Sequence, residues 1–162
     1  HTAFSFQKES SLFRNLLPHY LGQYSQMGNT TIAKMSALIN HNDMNGALSL
    51  LQAFLATVPY CENTNYEGHY QQMLYIIFSI LTHYRMQVEQ RTNTGRIDIT
   101  IRTNSRIYIM ELKFNGSAQE ALEQIKSRGY ADSFALDDLP VTKVGINFSL
   151  EGKKNITDWV IE

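Results

Sequence analysis

Three charged residues stand in stretches that otherwise read as buried strand: Asp98 in GRIDITI, and Glu111 and Lys113 in RIYIMELKFNG. In the second stretch Tyr108, Met110, Leu112 and Phe114 alternate with Ile107, Ile109, Glu111 and Lys113, the period of a strand with two distinct faces. Asn104-Ser105 separates it from RIDITIRT (96–103) and has the length of a two-residue hairpin turn. That turn makes Thr103 face Arg106, Ile101 face Tyr108, Ile99 face Met110 and Ile97 face Leu112, an apolar face that supports the register. On the opposite face Asp98 meets Glu111 and Arg96 meets Lys113.

Carboxylates directly across a ladder have Cβ atoms about 4.5–5.5 Å apart and destabilise the sheet. A shared proton, a cationic side chain or a bound metal must offset the repulsion. Lys113 is expected close to both acids and to offset part of it. Two carboxylates with a backbone oxygen also suit a hard divalent cation such as Mg²⁺, which keeps several waters. A lysine beside such an ion can orient an attacking water or steady developing negative charge. The plain alternative is a charge cluster on a solvated face. Ile107 and Ile109 on that same face count against it, because a partly covered acid is costly unless used or paired.

The surrounding pattern says what must position these groups. Residues 1 to about 60 read as helical, with stripes at Leu12, Phe13, Leu16, Leu17, Tyr20 and Tyr24, then at Ile32, Met35, Leu38 and Ile39. A third stripe runs from an N-cap at Asp43 through Ala47, Leu48, Leu51 and Leu55 to Val58, stopped by Pro59. This part carries no visible chemistry and reads as a helical extension, residues 1–60. CENTN (61–65) is turn material, and YEGHYQQMLYIIFSILTHY is apolar nearly all round, the mark of a buried helix. Strands follow over 86–92, 96–103 and 106–116. Ser117 with Glu120 forms a capping box that starts a helix, and strands return over 141–149 and 156–162. The expected domain, residues 61–162, is therefore α/β with α-β-β-β-α-β order and a mixed sheet.

Composition sets outer limits. At 162 residues, 43% hydrophobic and 11% aromatic, the chain has the make-up of a globular domain. Net charge is −1; eleven of the 14 Lys and Arg lie between Arg85 and Glu162, matched there by eleven acids. That balance does not advertise nucleic acid in the way a strongly basic protein would. The lone Cys61 fits a reducing, cytoplasmic setting, and neither an apolar run of membrane length nor a signal peptide is visible. His1 in place of Met points to a tag remnant ahead of a fragment of something longer.

Asp98, Glu111-Leu112-Lys113 and the α-β-β-β-α-β order resemble the PD-(D/E)XK nuclease superfamily. GRIDITI, YIMELKFNGSAQEALEQIKSRGYA, KVGINFS and the final DWVIE look most like the domain at the C-terminal end of bacterial AAA-ATPase-like proteins. The resemblance covers roughly 60–162 and implies a restriction-endonuclease-like fold, Mg²⁺ (with Mn²⁺ as substitute), and hydrolysis of phosphodiesters in nucleic acid, DNA foremost. It implies that Asp98, Glu111 and the Leu112 carbonyl bind the metal, that Lys113 positions water or stabilises the transition state, and that Glu67 on the first helix reaches the metal or its waters. Gln124 and Tyr130, on the helix after the strand of Glu111 and Lys113, would line the site and contact the substrate backbone. Ile97 stands where the motif has proline, and Gln124 and Tyr130 are six apart rather than the four often seen, which puts Arg128 at the usual position.

Each of these residues also has an ordinary reading. Glu67 suits the first turn of a helix through its dipole. Gln124 and Arg128 lie one turn apart beside the apolar stripe, where a solvated flank and a substrate contact are both open. Tyr130, Tyr108 and Trp159 suit packing, and His69 and His83 lack zinc spacing. Arg96, across from Lys113, is the best candidate for a phosphate contact. Two functions compete: a metal-dependent nuclease module joined to an ATPase, and a silent domain of the same fold that binds nucleic acid or a partner chain. Intact acids and lysine favour the enzyme, and the near-neutral charge favours the other.

Overall fold

The computed structural model describes residues 25–58 and 65–162. The stripe from Leu12 to Tyr24, Pro59 and Cys61 lie outside the described residues. Helix α1 (Ser25–Asn40) buries Ile32, Met35 and Ile39. Helix α2 (Met44–Leu55) opens on Asp43, whose Oδ1 accepts from the Gly46 N–H at 2.8 Å. Helix α3 (Tyr66–Ile80) opens on Asn65 in the same way and tightens into a 3₁₀ turn, Leu81–Tyr84. Strands β1 (Gln87–Asn93), β2 (Arg96–Arg102) and β3 (Ile107–Phe114) form a meander. Helix α4 (Ala118–Ser127) then crosses over to β4 (Val141–Ser149), and β5 (Asn155–Ile161) returns beside it. The sheet runs in the order β1-β2-β3-β4-β5; β3 and β4 are parallel and the other pairs antiparallel. It is the expected mixed α/β sheet flanked by helices. Among the described residues no helix is long and apolar enough to cross a membrane.

The two faces of the sheet build two cores. Ile97, Ile99, Ile101, Tyr108, Met110, Leu112, Val144, Ile146 and Phe148 point to α1, α2 and α3 and form one continuous cluster with them. Phe148 anchors it between the Tyr70 and Phe114 rings, with centroids 4.8 and 5.4 Å away. Helices α1 and α2 thus share a core with the sheet, and this core runs across the boundary at residue 60 drawn from the sequence. The opposite face has a smaller cluster: Ile107 and Ile109 with Ile125 of α4, edged by Ala131, Phe134, Leu139 and Val141.

Gly145 explains how closely α4 sits on that second face. A Cβ there would lie 2.2 Å from the Ala118 carbonyl oxygen and 2.7 Å from the Leu122 nitrogen. Only a strand residue without a side chain admits a helix backbone this near. Ser117 caps α4, its Oγ accepting from the Glu120 N–H at 3.1 Å. The helix ends at Ser127, short of Tyr130. Gly129 takes φ 63°, and a separate 3₁₀ turn, Tyr130–Phe134, follows. Arg102 of β2 ties the next loop down through both nitrogens of its fork, 2.5 and 3.1 Å from the Asp137 carboxylate.

Candidate active site

The hairpin register agrees with the one expected: Asp98 pairs with Glu111, Arg96 with Lys113, Ile97 with Leu112. The row through the acids reads Arg91 on β1, Asp98, Glu111, then Gly145 on β4. Residues paired across a ladder share a face, so all four point toward α4. Because Gly145 has no side chain, α4 lies over the row and Glu111 is 1% exposed. Asp98 is less covered, its side chain at 18%.

The cation at the pair is Arg128, the C-cap residue of α4. Its Nη1 donates to Glu111 Oε1 at 2.5 Å and lies 3.6 Å from Asp98 Oδ1. Its Nη2 donates to Gln124 Oε1 at 3.0 Å, one helical turn back. Arg96 Nε stands 3.5 Å from Asp98 Oδ2. Lys113, expected to be the offsetting cation, makes no ion pair among the described residues. It lies one row further along the strand, and its Cδ is 3.2 Å from where a Cβ on Gly116 would sit. Successive same-face residues on a strand are about 6.6–6.8 Å apart, so a group held at the end of α4 reaches the acids more directly than a neighbour in the ladder does.

Burial above all, then the hydrogen bond to Asp98, pushes the Glu111 carboxyl up to about 7; Arg128 and Arg96 pull against this, and the charge of Asp98 adds to it. Near neutrality the pair therefore holds either a proton or positive charge between its oxygens. Ionised, it has two buried oxygens that accept no hydrogen bond, Asp98 Oδ1 and Glu111 Oε2.

The acids form the floor of a cleft of about 290 Å³, with Arg91 and Glu89 on the β1 side and Tyr130, Ser133 and Phe134 on the other. Tyr130 was expected on the helix. It lies beyond Gly129 on the 3₁₀ turn instead, 39% exposed, and still lines the cleft. Glu67 is not brought to the pair. Its Oε1 accepts from the Gly95 N–H at 2.6 Å and from Gln71 Nε2 at 3.4 Å, which pins the β1–β2 turn to α3. Arg91 was missed by the sequence reading. The two-residue turn at Thr94-Gly95, continued with the same alternation, would have put it across from Asp98.

The donor set suits a hard divalent ion. Asp98 and Glu111 supply carboxylate oxygens, two of them buried and undonated, and the Leu112 carbonyl follows directly on β3. Among the described residues no group of three or more His, Cys, Asp and Glu side chains is arranged to hold a metal. Two carboxylates are what Mg²⁺ commonly takes while keeping waters for its remaining positions.

Comparison with known proteins agrees with this geometry. A family model described as the PD-(D/E)XK nuclease superfamily matches residues 65–159, which contain the whole sheet up to Trp159, α3 and α4. No solved structure matches the chain. A relative from Azotobacter chroococcum mcd 1, called "Uncharacterized protein in vnfD 5'region", is 30% identical over 165 residues. That match covers 98% of this chain and 31% of the relative, so the chain spans about a third of its length. With the paired acids on adjacent antiparallel strands, the lysine two residues after the second acid, and a family match over most of the described fold, the chain belongs to the PD-(D/E)XK nuclease superfamily.

Proposed function

We propose that this domain hydrolyses phosphodiester bonds in nucleic acid, DNA foremost, with Mg²⁺ as the working ion and Mn²⁺ as a substitute. The observation that carries the reading is the facing pair Asp98–Glu111, held on the floor of a cleft with two buried oxygens that lack donors. A sheet that served only as scaffold would gain from replacing either acid, because facing like charges oppose folding. A divalent cation on Asp98, Glu111 and the Leu112 carbonyl would lower the pKa of a bound water and offset charge at the phosphate. Lys113, on the same face one row along, orients the attacking water and steadies charge growing on the phosphate oxygens. Arg96 and Gln124 flank the acids and hold the substrate backbone, and Tyr130 offers an exposed ring at the cleft mouth. Glu67 serves the reaction through the β1–β2 turn it fixes. We take the domain to be a module of a longer ATPase protein, in line with the resemblance of its sequence.

A second reading is a silent nuclease fold that binds nucleic acid or a protein partner. Arg128 favours it, since a guanidinium already neutralises the acids without any metal. Labelled single- and double-stranded DNA and RNA, incubated with Mg²⁺, Mn²⁺ or EDTA, separate the two. Cutting that needs the metal and disappears in both Glu111→Ala and Lys113→Ala is the expected result. Intact substrate throughout, or cutting that survives both changes, would leave the binding module as the better account.

A further inference from the structure

Arg128 occupies electrostatic space that a metal would also claim. Its Nη1 is 2.5 Å from Glu111 Oε1 and 3.6 Å from Asp98 Oδ1, so its charge sits between the carboxylates that a divalent ion must share. Two cations competing for the same oxygens repel strongly in a covered site. The contacts holding the guanidinium are these acids and Gln124 Oε1, and the side chain is 24% exposed. Arg128 is the last residue before the left-handed Gly129, at the end of α4, so its side chain can turn toward the cleft without disturbing the helix. There it would meet substrate. A planar guanidinium pairs with phosphate oxygens through two parallel hydrogen bonds, as it does with a carboxylate.

We propose that Arg128 is a two-position residue: without a divalent ion it is the counter-ion of Asp98 and Glu111, and with one bound its guanidinium turns to the substrate phosphate. This rests on reading the acid pair as a metal centre. Two consequences follow from linkage. Arg128 weakens metal binding to the free protein, and a phosphodiester that draws Arg128 away tightens it; metal and substrate then bind with positive coupling, each raising the affinity of the other by the same factor.

The test is calorimetric titration of Mn²⁺ into wild type, Arg128→Gln, Arg128→Lys and Glu111→Gln, with and without dimethyl phosphate as a minimal phosphodiester. Thermal melts of each metal-free variant check folding. Arg128→Gln is expected to bind Mn²⁺ roughly tenfold to a hundredfold more tightly than wild type, the range for losing one charge-assisted hydrogen bond. Arg128→Lys, which keeps the charge without the fork, falls between them, and Glu111→Gln loses binding. Dimethyl phosphate should raise Mn²⁺ affinity in wild type and leave Arg128→Gln unchanged. Arg128→Gln binding no more tightly than wild type overturns the proposal and leaves the metal centre standing. Tighter binding with no effect of dimethyl phosphate overturns the second position alone. Failure of wild type and Arg128→Gln alike to bind Mn²⁺ removes both the proposal and the metal reading.

Discussion

One strand, β3, serves two unlike faces. Toward α1, α2 and α3 it presents Tyr108, Met110, Leu112 and Phe114 to a continuous apolar core. Toward α4 it presents Ile107 and Ile109, and then Glu111 and Lys113. The first face is wide, aromatic and covered by three helices. The second is covered by one helix, seated on a glycine, and carries an acid pair offset by Arg128 and Arg96. The alternation of a strand lets one backbone do both jobs. The apolar side supplies the stability that the charged side spends, so the site can hold like charges together without unfolding the domain.

Substitutions that act on one face at a time break this comparison most clearly. Phe148→Ala removes a fully buried ring from the large core and should cost about 3–5 kcal/mol. Metal-free urea unfolding measures it, and what remains folded should keep its divalent binding. A loss below about 1 kcal/mol would mean that the large core is not the main source of stability.

Gly145→Ala acts on the other face. The new methyl must push α4 away from β4, at a cost of about 1–3 kcal/mol for overpacking. Because α4 carries Gln124 and Arg128, this variant should lose more activity than its stability alone explains. Activity unchanged at a temperature where the variant is fully folded would show that the helix position is not critical.

A pH slope tests the charged face without any substitution. Folding raises the Glu111 carboxyl from 4.5 to about 7, so between these values the folded chain holds a proton that the unfolded chain has released. Stability in EDTA should therefore fall as pH rises through that window and level off on either side. Glu111→Gln should remove the slope, and added Mg²⁺ should reverse it, because the metal favours the ionised acid. A flat wild-type profile from pH 5 to 8 would mean that Arg128 compensates the pair completely.

Local signals carried much of this into the sequence. The Asn104-Ser105 turn and the alternation on either side set the β2–β3 register, and with it the facing of Asp98 and Glu111. Asp43 and Ser117 marked two helix starts through their side chains. Two further signals were present and unread. Gly129 after the last periodic residue of α4 is a helix stop, which moves Tyr130 off the helix. Gly145 inside an apolar strand marks a close backbone approach. The identity of the neutralising cation was not legible. Lys113 is near in sequence, whereas Arg128 reaches Glu111 only because of how α4 crosses the sheet, a tertiary fact with no local trace. The capture of Glu67 by the Gly95 N–H is of the same kind.

Strand β1 lies at the border of the sheet, where its outer backbone groups face water, and it also forms a wall of the cleft. Glu89 and Arg91, both exposed, alternate along it with opposite charge. An unguarded border of this kind invites strands of other molecules to add on, and alternating charge is a common deterrent. The side chains that front the cleft therefore also serve colloidal solubility. Neutralising them to probe substrate binding would risk clumping of the protein, and loss of signal in such variants should be checked by light scattering before it is credited to recognition.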